Sequence, residues 1–421
     1  MTTELGTLRE QIKSLDLKSK IKIARDISAS PELMEALAED EYEVRLTLAK
    51  NPFVPLSIML KLAEDGDRRI CELIADNLYI LGNLGKLKMY RSDIVEKIYS
   101  VLVEKGIDWV AKDPSIPAEV LRRLAGSESL SVRMWIAGNP NIPIDILEEL
   151  AMDKDEWVRL EIVKNPNAPP DIIWKIIESE DDDFKVRIVK ELSNPVILER
   201  LSEDRSEGVR EMVAGNPNTP ADVLMKLAED RSEWIRSRVA RNGNAPVKIL
   251  EKLAKDESRR VRAAVAGNPN TPANVLMKLA EDENESVRKE VAGNPNTPGE
   301  VLERLSEDRS EEVRMCVAGN PNTPPDVLRK LAGISKTLEV LVGSDEEKVK
   351  KEIAKNPNTP ADVLEEFAED MSNSIREAVA GNKNTPMKVI VRLIYDKDYF
   401  VRKKAMIRLI KYLQKEEISI I

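Results

Sequence analysis

The chain has 421 residues, of which 42% are hydrophobic, 33% charged and only 4% aromatic, and its formal net charge is −10. A core so poor in rings must be made of Leu, Ile, Val, Ala and Met, and the acid excess excludes general affinity for nucleic acid or anionic lipid, although not a local basic patch. The chain has no His, which removes the commonest general base and metal ligand; Cys71 and Cys316 lie too far apart for a disulfide framework or a metal-ligand spacing and read as buried free thiols.

In chain order, Met1–Lys20 reads as a polar helical cap without an apolar leader. No later run approaches the length of a membrane span, so the protein is expected to be soluble and cytoplasmic. Abundant Glu and Lys resemble hyperthermophile usage. A turn residue then sets a clock. Asp113, Asn139 and Asn165 are spaced by 26, as are Asn216, Asn242, Asn268, Asn294 and Asn320, and again Asn356 and Asn382. A fixed period of this size marks a solenoid and replaces the two or three globular domains that length alone suggests.

The clearest stretch is 204–308, where each repeat predicts two short helices. The first carries Val209-Arg210-x-x-Val213-Ala214, with apolar positions four apart on one face. Gly215, like Gly267, Gly293, Gly319 and Gly381, is expected to end it in the left-handed cap conformation. Asn216 before Pro217 is pushed to an extended conformation. Thr219 reads as the N-cap of the second helix, Pro220 as its first residue and Asp222 as part of a capping box. Val223, Leu224 and Leu227 form its buried stripe. None of these helices is long enough to be stable alone, so each must bury its stripe against neighbouring repeats.

The pattern Val-Arg-x-x-Val-Ala-x-Asn-Pro-x-Thr-Pro-x-x-x-Leu-x-x-Leu-Ala, recurring over roughly residues 20–405, resembles the leucine-rich repeat variant family. The resemblance implies an all-α, right-handed superhelix of paired short helices, one often 3₁₀-like, and a loosely defined protein-binding role without catalytic residues. Some members carry an N-terminal Cys-rich segment that holds an iron–sulfur cluster; residues 1–30 here contain no Cys, and no cofactor is carried over. The expected architecture is an α-solenoid of about 12–14 two-helix repeats, with residues 1–405 as a single array capped at 1–20, and 406–421 as a capping helix and tail.

Arg210, Arg236, Arg262, Arg288 and Arg314 recur in register, as do Arg45, Arg133, Arg159, Arg187, Arg376 and Arg402, with Lys350 in the same place. An acid lies six residues before most of them: Asp204, Asp230, Asp256, Asp282 and Asp308 in the regular stretch. One reading is a guanidinium stripe that grips phosphates or acidic peptide. The favoured one is an Asp–Arg ladder that ties repeat to repeat, as in the similar HEAT repeats, because the planar fork of Arg serves two acceptors at once. Asn216, Asn268, Asn294 and Asn320 are read likewise, their amides satisfying backbone groups across stacked turns.

Breaks in the period point to function more than the period does. Ten extra residues follow Asn77, and Leu78–Tyr90 reads as an apolar loop in which Tyr79, Leu81, Leu84, Leu87, Met89 and Tyr90 are candidate partner contacts or a fold-back cap. At Ser193-Asn194-Pro195 the turn is shortened and its signature lost. A second ten-residue excess, Gly333–Gly343, reads as an extra short helix that interrupts the ladder. Tyr395–Lys415 is basic and amphipathic; Lys403, Lys404, Arg408 and Lys411 are candidate contacts for an acidic partner, RNA or a membrane surface, or a solvated cap face. No P-loop, dinucleotide fingerprint, nucleophile elbow or zinc spacing occurs in the sequence. The sequence therefore predicts a non-enzymatic protein–protein interaction scaffold without cofactor, with a nucleic-acid-binding solenoid as the alternative.

Overall fold

The structure, a computed structural model, describes residues 10–83, 92–342 and 346–418. Among the described residues every regular element is helical. The chain forms two compact units, Met1–Ile197 and Leu198–Ile421, where the sequence reading has one array over 1–405. The boundary falls in the helix Pro195–Leu201, beside the turn whose signature is lost.

In the second unit the pairs are regular. Glu207–Gly215 is followed by Ala221–Leu227, Glu233–Arg241 by Val247–Leu253, and Arg259–Gly267 by Ala273–Leu279. Each first helix packs on its own second helix and on the first helix of the next repeat. Val209, Val213, Ala214, Val223, Leu224 and Leu227 are all buried, as are their equivalents. Burying a Val or Leu is worth about 1.5–3 kcal/mol each. That burial, repeated along the array, holds helices of seven and nine residues that could not persist alone.

The turn chemistry departs from the sequence expectation at two places. Gly215, Gly267, Gly293, Gly319 and Gly381 are the last helical residues rather than left-handed caps; among the described residues positive φ occurs only at Gly66 and Gly106. The helix instead ends because Asn216, ahead of Pro217, is extended (φ −71°, ψ 129°). Thr219 does not cap the second helix either. Its hydroxyl donates to the Val213 carbonyl at 2.6 Å, and Pro220 occupies the N-cap with no side-chain hydrogen bond. A helix-end carbonyl is thereby satisfied by the residue expected to serve the next helix's amides.

The first unit is less regular. Leu17–Arg25 already forms the first helix of a repeat, so the expected cap at 1–20 overlaps repeat structure. Residues 78–83, expected in a loop, complete the helix Arg68–Asn83, and the second helix of that repeat is Ser92–Glu104. The 3₁₀ form occurs at Asp108–Lys112. In the second unit the excess at 333–343 adds no separate helix: it lengthens the second helix of its repeat to Pro325–Val342. At the other end Arg402 and the basic segment share one helix, Tyr399–Ile418.

Candidate interaction surface

The recurrent polar residues point at each other. Arg236 Nε and Nη2 donate to Asp256 Oδ2 and Oδ1 at 2.7 and 2.9 Å, and Nη1 donates to the Asp230 carbonyl at 2.9 Å. Arg210 with Asp230, Arg262 with Asp282, and Arg288 with Asp308 repeat this geometry, as do Arg133 with Asp153 and Arg376 with Asp396. The acid six residues before an Arg gives that Arg only its carbonyl; its carboxylate serves the Arg of the preceding repeat. Each carboxylate also accepts a backbone N–H two residues on, as Asp256 does from Ser258 at 2.9 Å. Burial pushes the Asp256 carboxyl up, but the hydrogen bonds from Arg236 and Ser258 outweigh it and hold it below the usual carboxylate value.

Where the sequence varies, the same position finds another partner. Lys20 pairs with Asp40 at 3.1 Å and Lys350 with Asp370 at 3.4 Å. Arg159 uses Glu180 at 2.5 Å, and Arg314 uses the fully buried Glu346. Arg187 departs: it turns back to Glu156, with Nη1 at 3.0 Å from Oε1, and lies over the Phe184 ring.

A second ladder runs through the turns. Asn242 Nδ2 donates to the Ala214 and Asn216 carbonyls at 2.8 and 3.0 Å, while its Oδ1 accepts from the Asn244 N–H at 2.9 Å. Asn268, Asn294 and Asn320 do the same one repeat further on. The insertion at 333–343 does not interrupt this ladder: Asn356 still reaches the Ala318 and Asn320 carbonyls at 2.7 and 2.8 Å. The extra length is taken up within the second helix, away from the turn. After the first insertion the turn residue is Asp113, and the buried Tyr99 hydroxyl donates to its carboxylate at 2.7 Å.

The candidate partner contacts divide. Tyr79 is exposed on the helix Arg68–Asn83, whereas Leu81 is buried in the core. Leu84, Leu87, Met89 and Tyr90 lie outside the described residues. Lys403, Lys404 and Lys411 are exposed, Lys404 pairing with Glu377 at 3.2 Å. Arg408 is not a free basic group. Its Nη2 donates to the Lys383 and Thr385 carbonyls at 2.5 and 3.3 Å, and its Nη1 to the Asn382 carbonyl. It stands where the next turn Asn would stand and satisfies the same kind of acceptor. Burial pushes the thiols of Cys71 and Cys316 up, away from the reactive thiolate.

Sequence reasoning overlooked the exposed aromatic residues of the first helices. Trp157 and Trp234 each precede a ladder Arg by two residues, as Phe400 precedes Arg402, and register alone would have grouped them. Arg260 stacks 3.5 Å above the Trp234 ring, and Lys112 lies 5.2 Å from Trp135.

The leucine rich repeat variant family model matches residues 207–232, 259–284 and 286–310. No curated protein matches the sequence. Among solved structures, a leucine-rich repeat variant with a novel repetitive protein structural motif is 23% identical, with a TM-score of 0.39 over 55% of this chain and 87% of that one. The karyopherin Kap121p bound to the SUMO protease Ulp1p, and Kap121p bound to the extreme C-terminus of the protein phosphatase Cdc14p, are each 13% identical, with TM-scores of 0.40 and 0.41. Both cover 93% of this chain, which spans about half the length of theirs (52% and 53%). The matched segments, less than a fifth of the chain, coincide with regular pairs that carry both ladders, and in these three segments the chain has leucine rich repeat variant repeats.

Proposed function

We propose that the chain is a non-enzymatic scaffold that binds other proteins through the exposed, variable residues of its repeats. The observation that carries this reading is a division of labour. The recurrent polar groups, Arg, Asp, Asn and Thr, are spent inside the array, while large apolar and aromatic side chains such as Trp157, Trp234, Met225 and Phe400 are left in solvent. Aromatic residues and Met beside Arg are what protein interfaces favour. The nucleic-acid alternative loses its main support, because the guanidinium forks that would grip phosphates already hold carboxylates. No helix of the described residues is long and apolar enough to cross a membrane.

The test is affinity purification of the tagged protein from its native host, with identification of co-purifying chains before and after nuclease treatment. Stoichiometric protein partners that survive nuclease support the scaffold. Recovery of the protein alone, or with nucleic acid lost at moderate salt, defeats it.

A further inference from the structure

We infer that the outer side of the helix Val247–Leu253, together with Lys278 of the next repeat, is a docking site for a short acidic segment of a partner protein. The inference rests on the scaffold reading and gives it a location and a partner chemistry.

The second helices carry a charge pattern of their own. The sixth, tenth and thirteenth residues after the turn Asn lie along one exposed stripe, at the i, i+4 and i+7 spacing of a helix face. In the helices Pro170–Glu178, Ala221–Leu227 and Gly299–Leu305 the stripe reads acid, base, acid: Asp171-Lys175-Glu178, Asp222-Lys226-Glu229 and Glu300-Arg304-Glu307. The base at the tenth place pairs with the acid at the thirteenth place of the repeat before. Lys252 meets Glu229 at 2.6 Å, Arg304 meets Glu281 at 2.7 Å, and Lys330 meets Glu307 and Arg392 meets Glu369 at 2.8 Å. The sixth residue pairs with the ninth of the repeat before, Asp362 with Arg329 at 2.9 Å and Lys388 with Glu365 at 2.8 Å. The outer surface is neutralised in this way from repeat to repeat.

One repeat breaks both rules. The stripe after Asn242 is Lys248, Lys252 and Lys255. Lys248 has Met225 at the place of its acid, and Lys278, at the tenth place of the following repeat, has Lys255. All four lysines are exposed, and among the described residues only Lys252 has a salt bridge, to Glu229. Glu251, the acid that this helix does carry, stands by the same register against Asn274. Like charges on one helix stripe cost stability, so folding gains nothing from the exchange. A local rule broken without a compensating contact inside the fold is the mark of a functional position.

The surroundings select the occupant. The stripe from Lys248 to Lys255 is about 10 Å long, seven residues of helical rise. Acids bound it on either side: Asp222 on the helix before, and Glu300, Glu303 and Glu307 beyond Lys278. A duplex nucleic acid, with one charge per about 1.7 Å, would run off the lysines onto these acids. A short run of Glu or Asp fits within them and completes the pairs that Lys248, Lys255 and Lys278 lack. Met225, Val247 and Met277 are exposed beside the lysines and receive apolar side chains of the same segment.

The test measures binding to the intact protein of a fluorescent synthetic peptide with three Glu residues flanked by Leu. Comparison probes are the same peptide with Gln for Glu, and a single-stranded oligothymidine. The Glu peptide is expected to bind, and to weaken as salt rises; the comparison probes are expected not to bind. Lys255→Glu supplies the acid that Glu229 and Glu281 supply in their own repeats, so Lys278 gains an internal partner and the thermal melt stays unchanged or rises slightly. This substitution is expected to weaken the Glu peptide about tenfold. Adding Lys248→Asp rebuilds the stripe of Asp222, Lys226 and Glu229 and is expected to abolish binding. Lys154→Glu makes the same charge change at an exposed position of the first unit and is expected to leave binding as it is. No binding of the Glu peptide, equal binding of either comparison probe, indifference to the double substitution, or an equal loss with Lys154→Glu overturns the inference. If native partners still co-purify with the doubly substituted protein, the scaffold reading stands and only this docking site is wrong.

Discussion

Arg262 and Asp282, twenty residues apart, meet in a two-point contact: Nε lies 2.6 Å from Oδ2 and Nη2 3.1 Å from Oδ1. The third nitrogen, Nη1, is 2.9 Å from the Asp256 carbonyl of its own repeat. One planar cation therefore spans two repeats, with little of either side chain in solvent. Arg262→Ala removes the cation and leaves a carboxylate and a carbonyl without their donor. A loss of about 2–3 kcal/mol is expected, read as lower thermal stability of the array. Arg262→Lys should recover only part of it, since an ammonium cannot make both parallel bonds. An unchanged melting curve for Arg262→Ala contradicts a structural role for the pair.

The same pairs predict how stability depends on acid. At Asp282, burial raises the carboxyl, but the hydrogen bonds from Arg262 and the Asn284 N–H prevail and hold it below the ordinary carboxylate range; Asp230, Asp256 and Asp308 follow the same balance. A depressed carboxylate contributes stability that is present in full above its unfolded value and is lost as pH falls through the folded one. The ladder contribution should be constant from neutrality down to about pH 5, begin to fall near pH 4 and be lost progressively as pH drops through the depressed folded value. The stability gap between the wild type and Arg262→Ala, measured by denaturant titration at stepped pH, should narrow in that acid range. A gap that stays constant down to pH 2 refutes the electrostatic account.

Asn268 uses its whole side chain, donating to the Ala240 and Asn242 carbonyls at 2.7 and 3.1 Å and accepting from the Asn270 N–H at 2.8 Å. Asn268→Ala removes a donor from the buried Ala240 and Asn242 carbonyls, the latter still accepting from the Ala245 N–H, and the acceptor of the part-buried Asn270 N–H, and should cost about 1–3 kcal/mol. Asn268→Asp should be at least as harmful, because a carboxylate would face two carbonyl oxygens. Asp113 shows the exception: it tolerates a carboxylate at a turn because Tyr99 supplies a hydroxyl donor. Hydrogen exchange of the amides flanking residue 268 measures the local loss, and protection equal to wild type in either variant defeats the prediction.

The repeat was legible because each one spells its own boundaries: Asn-Pro stops a helix, Val, Leu and Leu mark the buried faces, and the period of 26 gives the register. Register also held information that composition hid. Counting 26 on from Asn382 lands on Arg408, which marks it as a turn residue rather than one of a basic cluster; counting 20 back from Asp40 lands on Lys20 and extends the ladder into the expected cap. What sequence could not show is which of two acceptors a short side chain chooses. Thr219 suits an N-cap by type, yet its hydroxyl reaches back to Val213, because the turn folds that carbonyl over it.

The repeat glycines give the last prediction. Gly before Asn-Pro invites a left-handed cap reading, under which replacement by Ala would strain the backbone. Gly293 instead closes a right-handed helix, and a Cβ there would meet nothing within 4 Å. Gly293→Ala should therefore be neutral or stabilising by up to about 1 kcal/mol, through helix propensity and a less flexible unfolded chain. Gly106 makes the opposite case: its surroundings are as open, but its φ is +79°, so Gly106→Ala should cost about 1 kcal/mol from backbone strain alone. Space is the same at both positions and only the backbone differs. Thermal melts of the two variants should move in opposite directions, and a matching loss in both would restore the left-handed reading for Gly293.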